Sequence, residues 1–317
     1  DVYKRQVFCI SWRNPGPDMA RVGFDDYRQR GVMAALDQAS AICPETRVHA
    51  VGYCLGGTLL AVAAAAMARD GDERLASLSL FCAQTDFTEA GELQLFTTEE
   101  QVAFLEDVMA GQGYLDGRQM GASFELLRAR DLIWSRMIKT YMLGEREESN
   151  ALMTWNADAT RMPARMHAEY LRRFFLNNDL AEGQFEAGDR PVSIGDIHAP
   201  AFVVATRTDH VAPWRSVHKI HLLHNGELTF LLTAGGHNAG IVSPPGHPHR
   251  DYEIHTRPPG EAYLAPDAWR AAADKADGSW WPAWAAWLAA RSSPGDRHPP
   301  AMAPSLAPAP GTYVMER

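Results

Sequence analysis

The chain has 317 residues, 46% apolar and 22% charged, with a net charge of -9. That is length enough for a sizeable core, and a composition typical of a globular protein rather than a disordered one. The acidic balance and the lack of any long Lys/Arg run argue against a nucleic-acid partner. The longest apolar run, Leu59–Ala68, is too short to be a transmembrane segment.

In chain order, a short polar lead, Asp1–Arg5, enters a strand-like run over Val7–Ser11 and then the loop Trp12–Pro17. No secretory signal is visible, and with no initiating Met the N-terminus reads as truncated. Tyr27–Ile42 has helical spacing, Val48–Gly52 reads as a strand, Gly57–Ala68 as a helix and Leu75–Cys82 as a strand. This βαβαβ alternation predicts a parallel sheet covered on both faces.

From about 86 to 190 the alternation stops. Thr98-Glu99-Glu100-Gln101 looks like a capping box opening a helix that ends near Gly111. Leu126–Leu143 and Arg165–Phe175 also show helical spacing. The segment reads as a helical insertion, either a cap over the sheet's C-terminal edge, where αβ proteins bind ligands, or a decoration remote from any site. Sheet character resumes at Ala201–Ala205, followed by a helix over Trp214–Leu223, a strand over Leu228–Thr233 and the loop Ala234–Asn238. A Pro- and His-rich stretch leads to an aromatic helix, Trp280–Arg291, and a Pro/Ala-rich tail from Ser292. The expected division is a first part of an α/β core over 1–85, a helical cap insertion over 86–190, and a second core part with C-terminal helix and tail over 191–317.

The most informative feature is Gly52-Tyr53-Cys54-Leu55-Gly56, a nucleophile elbow of the form G-x-S-x-G with cysteine in place of serine. Strand, sharp turn and helix are the context such an elbow needs. The turn strains the nucleophile's backbone, so small neighbours are required. The thiol then projects at a helix N-terminus, whose dipole favours an anionic sulfur. A buried cysteine in a glycine-rich turn is the bland alternative.

The other cysteines, Cys9, Cys43 and Cys82, form no CxxC pair and no metal-ligand spacing, so no metal is expected. Cys9 and Cys82 sit in apolar strand-like runs and read as small buried hydrophobes; Cys43 reads as structural. One distinctive cysteine without a disulfide framework suits a reducing cytoplasm.

A cysteine nucleophile needs a base, and the base needs an orienter. In α/β-hydrolases these follow in the order nucleophile, acid, histidine, each after a strand. Asp209, just after Ala201–Ala205, fits the acid; its alternative is the N-cap of the next helix. His237, in a glycine loop after Thr233, fits the base. The oxyanion hole is expected to use the backbone N–H of Leu55, with no visible second donor. His218, His221 and His224 share a helical spacing that suggests a metal face, but without carboxylate partners they read as a solvated helix face. His247 and His249 read as loop surface.

Local motifs extend this beyond the triad. They include Ser11-Trp12-Arg13-Asn14-Pro15, Gly52-Tyr53-Cys54-Leu55-Gly56-Gly57, Asp131-Leu132-Ile133-Trp134 and Trp155-Asn156-Ala157-Asp158-Ala159-Thr160. Asp209-His210-Val211-Ala212-Pro213-Trp214, the run from Gly236 to Pro245, and Gly278-Ser279-Trp280-Trp281-Pro282 complete the set. In this order the chain closely resembles the class I polyhydroxyalkanoate synthases. The resemblance implies an α/β-hydrolase-like, parallel-rich sheet with a helical cap. It also implies transfer of (R)-3-hydroxyacyl groups, short ones such as 3-hydroxybutyryl, from coenzyme A onto a growing polyester through a cysteine thioester. Family roles fall on Cys54 as nucleophile, His237 as base, and Asp209 as orienter of the base or activator of the substrate hydroxyl. No cofactor is implied, since coenzyme A is part of the substrate and a product. A homodimer at the surface of a cytoplasmic granule is implied as well. Arg207, Arg215 and Lys219 are candidates for the CoA phosphates, surface solvation being the alternative. Family members carry a long N-terminal domain and early core strands before the Ser-Trp-Arg segment, so early strands are expected to be missing here.

Two other readings use the same residues. A cysteine-nucleophile hydrolase, dienelactone hydrolase-like or a polyester depolymerase, shares the elbow and would release free acid. A non-catalytic granule-associated protein would leave Cys54 unacylated.

Overall fold

A computed structural model describes residues 5–116, 137–144, 151–158, 160–293, 300–301 and 305–316. Four apolar runs pair side by side in parallel: β1 (Val48–Tyr53), β2 (Leu75–Phe81), β3 (Ala201–Thr206) and β4 (Leu228–Thr233). Two further strands, β5 (Asp251–Arg257) and β6 (Asp274–Asp277), add antiparallel at the β4 side. The sheet order therefore follows the chain, β1 to β6. Every residue of β3 and β4 is buried, as expected for parallel strands covered on both faces.

Parallel neighbours need crossover connections, and here helices supply them. Leu55–Arg69 links β1 to β2, and Trp214–His218 with Ile220–Leu223 link β3 to β4. The aromatic helix, Trp281–Ala289, covers another part of the sheet. Trp280, Trp287 and Leu288 pack with Phe81, Phe202, Val204 and Leu231. The expected helix over Tyr27–Ile42 comprises Phe24–Tyr27, a π segment Arg28–Met33, and Ala34–Ile42.

The chain divides into two compact units. One holds Asp1–Ile10, Phe24–Thr98 and Tyr170–Pro308, and contains the six-stranded sheet. The other holds Ser11–Gly23, Glu99–Glu169 and Ala309–Arg317. In this second unit the helix Glu99–Gln112 buries Val102 and Met109 completely. Tyr114–Leu115 pairs antiparallel with Met162–Pro163, and Arg161 stacks over Tyr114 at 4.5 Å. Most of the expected helix Leu126–Leu143, and the motif Asp131–Trp134, lie outside the described residues; Ile138–Met142 is a π turn.

Four expectations need correction. Val7–Ser11 is not a strand: it makes no ladder among the described residues, and Val7, Phe8 and Ile10 are exposed. β propensity yields a strand only where a neighbouring strand accepts the hydrogen bonds. Cys9 is accordingly exposed rather than buried.

The stretch before the aromatic helix carries β5, the helix Pro266–Ala272 and β6, none of them expected. β5 hides because two of its buried positions are charged. Glu253 is held by Arg270 at 2.6 Å and Arg207 at 3.3 Å, while Arg257 donates to the carbonyls of His221, His224 and Gly226. Burial of these charges is tolerable because every one has a partner of opposite charge or dipole.

His218, His221 and His224 are not a solvated face: all three are buried. Their helices lie against the sheet, and His218 packs edge-on to Phe230 and Trp269. Burial pushes His218 and His224 down to about 4, and His221 to about 2, with neighbouring positive charge adding to the fall. The rings are therefore neutral in the fold but protonate in the unfolded chain below about 6.5. Excess proton uptake by the unfolded chain makes stability rise with pH, so it is complete above about 6.5 and lost as pH falls toward about 4. We expect His218→Leu to flatten the stability–pH curve in that window by about 1.4 kcal/mol per pH unit, one proton's share. Urea unfolding at a series of pH values reads this directly, and an unchanged slope would show that His218 titrates normally in the fold.

Candidate active site

At the end of β1 the chain turns through Cys54, at φ 52 and ψ -127, straight into the helix Leu55–Arg69. A non-glycine residue in that region is strained and persists only when its surroundings demand it. Here the demand is backbone proximity. A Cβ on Gly52 would lie 2.6 Å from Gly57 Cα and 2.7 Å from Gly56 O, and one on Gly57 would lie 2.4 Å from Ala83 Cβ. The strand and helix can cross this closely only without side chains at those two positions. Gly56, the motif's second glycine, faces open space.

The Cys54 carbonyl accepts from Gly57 and Thr58 N–H at 2.9 and 3.2 Å, closing the first helical turn. Leu55 N–H, at the helix's first position, has no intrahelical acceptor and sits one residue from the thiol.

Asp209 follows β3. Its Oδ1 accepts from Val211 and Ala212 N–H, both at 2.9 Å, which closes a turn ahead of the helix Trp214–His218; the N-cap of that helix is Pro213, so Asp209 does not take the alternative capping role. Its Oδ2 is 2.7 Å from His237 Nδ1, so one oxygen holds the turn and the other meets the imidazole. His237 lies in the loop after β4, which two indoles hold: Trp280 Nε1 donates to Gly240 O at 3.0 Å and Trp281 Nε1 to Ile241 O at 2.9 Å. The structure thus brings the Asp209 carboxylate and the His237 ring together, and Cys54 follows directly on Tyr53, whose ring stacks on that imidazole.

Burial alone would lower the His237 pKa, but the hydrogen bond with Asp209 and the neighbouring thiols reverse this and hold it well above the ordinary value. Burial alone would raise Asp209, and the bond to His237 with the two amides pulls it below the usual carboxylate range. Both shifts favour an ion pair on these two side chains.

The chain belongs to the alpha/beta hydrolase fold family, which matches residues 3–244. Within that family it is similar to poly(3-hydroxyalkanoate) polymerases. It is 42% identical over 311 residues to the poly(3-hydroxyalkanoate) polymerase of Methylorubrum extorquens, covering 97% of this chain and 51% of that protein. It is 40% identical to the polymerase subunit PhaC of Rhizobium meliloti (98% and 51%) and 33% identical to that of Cupriavidus necator (97% and 53%). The chain spans about half the length of these curated relatives. These relatives bear out the resemblance to the synthases, and the mostly parallel sheet with its helices bears out the α/β fold.

Two residues beside this alpha/beta hydrolase site were not expected there. Tyr53 stacks on His237, ring centroids 5.2 Å apart, and its hydroxyl donates to His237 O at 3.2 Å and to the Asn238 carboxamide. Cys82, immediately after β2, has its Sγ 3.8 Å from His237 O. Sequence offered one signal for it: like Cys54, it ends a strand of a parallel sheet.

Cys82 Sγ, an Asp209 oxygen and a His237 nitrogen lie within 4.8 Å of one another, a spacing compatible with a metal. The chemistry is unfavourable, because Asp209 and His237 already bond each other and burial pushes the Cys82 thiol up to about 12.

The proposed phosphate-binding cations all have acidic partners. Arg207 meets Asp251 at 2.5 Å and Glu253 at 3.3 Å, Lys219 meets Glu89 at 2.7 Å, and Arg215 meets Asp267 at 2.6 Å. No helix among the described residues is long and apolar enough to cross a membrane.

The elbow's glycines should respond unequally to alanine. Gly52→Ala and Gly57→Ala are expected to destabilise by about 1–3 kcal/mol through overpacking, whereas Gly56→Ala, mid-turn in a helix and facing space, should be neutral or slightly stabilising. Thermal unfolding of the three variants checks this, and equal losses would refute the close-approach account.

Proposed function

We propose that this chain carries polyhydroxyalkanoate synthase chemistry, polymerising (R)-3-hydroxyacyl-CoA through a covalent thioester on Cys54. The supporting observation is cysteine at the strained elbow, beside a His237 loop whose imidazole Asp209 holds at 2.7 Å, in a chain similar over nearly its whole length to poly(3-hydroxyalkanoate) polymerases.

His237 takes the Cys54 proton, and the sulfur attacks the thioester carbonyl of the acyl-CoA. Negative charge developing on the carbonyl oxygen is met by Leu55 N–H. The tetrahedral adduct collapses, the CoA sulfur leaves with the proton carried by His237, and an acyl-Cys54 thioester remains. One thioester replaces another, so the acyl group keeps its activation for the next bond. His237 then deprotonates the 3-hydroxyl of the incoming unit, whose oxygen attacks an acyl thioester and extends the ester chain. Asp209 acts as the orienter: its carboxylate is fully buried against His237 Nδ1, which favours that role over reaching a substrate hydroxyl.

Among the cations, Arg215 is best suited to a CoA phosphate. Its Asp267 partner is 80% exposed, and a surface pair of that kind exchanges at little cost. Arg207 and Lys219 would first have to leave more enclosed carboxylates. Short acyl groups such as 3-hydroxybutyryl, a homodimer, and residence at a cytoplasmic polyester granule complete the proposal. No cofactor is required beyond the CoA that enters with substrate and leaves as product.

The test is CoA release from (R)-3-hydroxybutyryl-CoA with collection of insoluble polyester. The intact protein should give both products, Cys54→Ala neither, and His237→Gln a rate about 10²–10⁴-fold lower. Free acid without polymer would identify a hydrolase instead, and a folded protein in which Cys54 takes no acyl group would identify a non-catalytic one.

A further inference from the structure

The acyl-transfer chemistry leaves Cys82 unused, although it is buried beside the site. β1 and β2 pair in register through Tyr53 and Phe81, and Cys54 and Cys82 are the next residue on each strand. Cys54 N–H donates to Phe81 O at 2.8 Å, which continues the ladder to that level. Neighbouring strands lie about 4.8 Å apart, inside the roughly 4.4–6.8 Å Cα separation that a disulfide spans. Both cysteines take a left-handed backbone, with φ 52 and 47, and Cys82 Sγ lies 3.8 Å from the His237 carbonyl. Cys82 Sγ also lies 4.0 Å from Thr206 Oγ1.

We infer that Cys82 is a resolving thiol for Cys54, so that hydroperoxides close a reversible Cys54–Cys82 disulfide that switches the site off. The inference rests on Cys54 being the reactive thiol of the proposed function. In the first step the Cys54 sulfur attacks the O–O bond of hydrogen peroxide, giving a sulfenic acid and one water. In the second, the Cys82 sulfur attacks the Cys54 sulfur, and hydroxide leaves and takes up the Cys82 proton through His237 as a second water. Two thiols lose two electrons, peroxide gains them, and one S–S bond forms. Without the resolving thiol, a sulfenic acid is open to further, irreversible oxidation. A dithiol reductant reopens the bridge by exchange. While it is closed, Cys54 cannot accept an acyl group.

The intact chain is treated with hydrogen peroxide, alkylated with N-ethylmaleimide and mapped by mass spectrometry, with activity measured relative to each protein's own untreated sample. The expected result is loss of two hydrogens, a cross-linked Cys54–Cys82 peptide, loss of CoA release, and recovery with dithiothreitol. In Cys82→Thr and Cys82→Ser, Cys54 should instead gain two oxygens and stay inactive after dithiothreitol. A wild-type protein whose Cys54 goes to sulfinic acid, or pairs with Cys9, Cys43 or another molecule, would overturn the inference. The wild-type peptide map decides this even if the Cys82 variants do not fold. Cross-linking without acyl-CoA turnover would sink the proposed function alone, and turnover without cross-linking would sink this inference alone.

Discussion

The site depends on one close approach, the crossing of the helix Leu55–Arg69 over the end of β1 and against Ala83. With a Cβ at Gly52 or Gly57, backbone or Ala83 atoms would stand 2.4–2.6 Å away, and the helix would have to lift from the sheet. Because it does not, the single residue between strand and helix must reverse the chain, which puts Cys54 at φ 52. That strain is the means of delivering the side chain above the strand ends, with Leu55 N–H beside it. The alanine-rich sequence of the helix serves the same end. Small side chains from Ala61 to Ala66 are buried, and they let the helix lie close along its whole length.

Parallel register does the rest of the assembly. Strands β1 to β4 run the same way, so their C-terminal ends gather at one edge of the sheet, and Cys54, Cys82, Asp209 and His237 each follow one of them. Proximity there follows from topology. Orientation does not, and it comes from local bonds: two backbone amides fix Asp209, while Tyr53, Trp280 and Trp281 fix the backbone of the His237 loop. The aromatic helix therefore has two roles, burying the sheet face and clamping the loop that carries the imidazole.

Sequence made the parallel strands and the elbow legible because apolar runs, glycines and helical spacing are local signals. It failed where the outcome depends on a neighbour. Val7–Ser11 has strand composition, yet composition cannot show whether a partner strand lies alongside. β5 reads as polar because its buried positions, Glu253 and Arg257, are neutralised by residues far along the chain. For the same reason the order and spacing of Cys54, Asp209 and His237 were readable, while Tyr53 and Cys82 were not. A tyrosine at a motif's variable position carries no mark of the carbonyl it holds, and a cysteine in an apolar strand looks the same whether or not a histidine is near.

The histidines show how little residue type decides by itself. His218, His221, His224 and His237 are all largely withdrawn from water, and desolvation drives every one toward the neutral form. The first three face aromatic rings, a guanidinium or one another, and no carboxylate opposes that drive; backbone carbonyls near His224 offset it only in part. His237 alone faces a buried carboxylate, whose charge two amide donors help to stabilise. Its ring is consequently held above the ordinary value while the others fall to about 4 or below. A base that readily keeps the proton it removes is what a thiol donor requires, and Asp209, rather than burial or the imidazole itself, supplies that property.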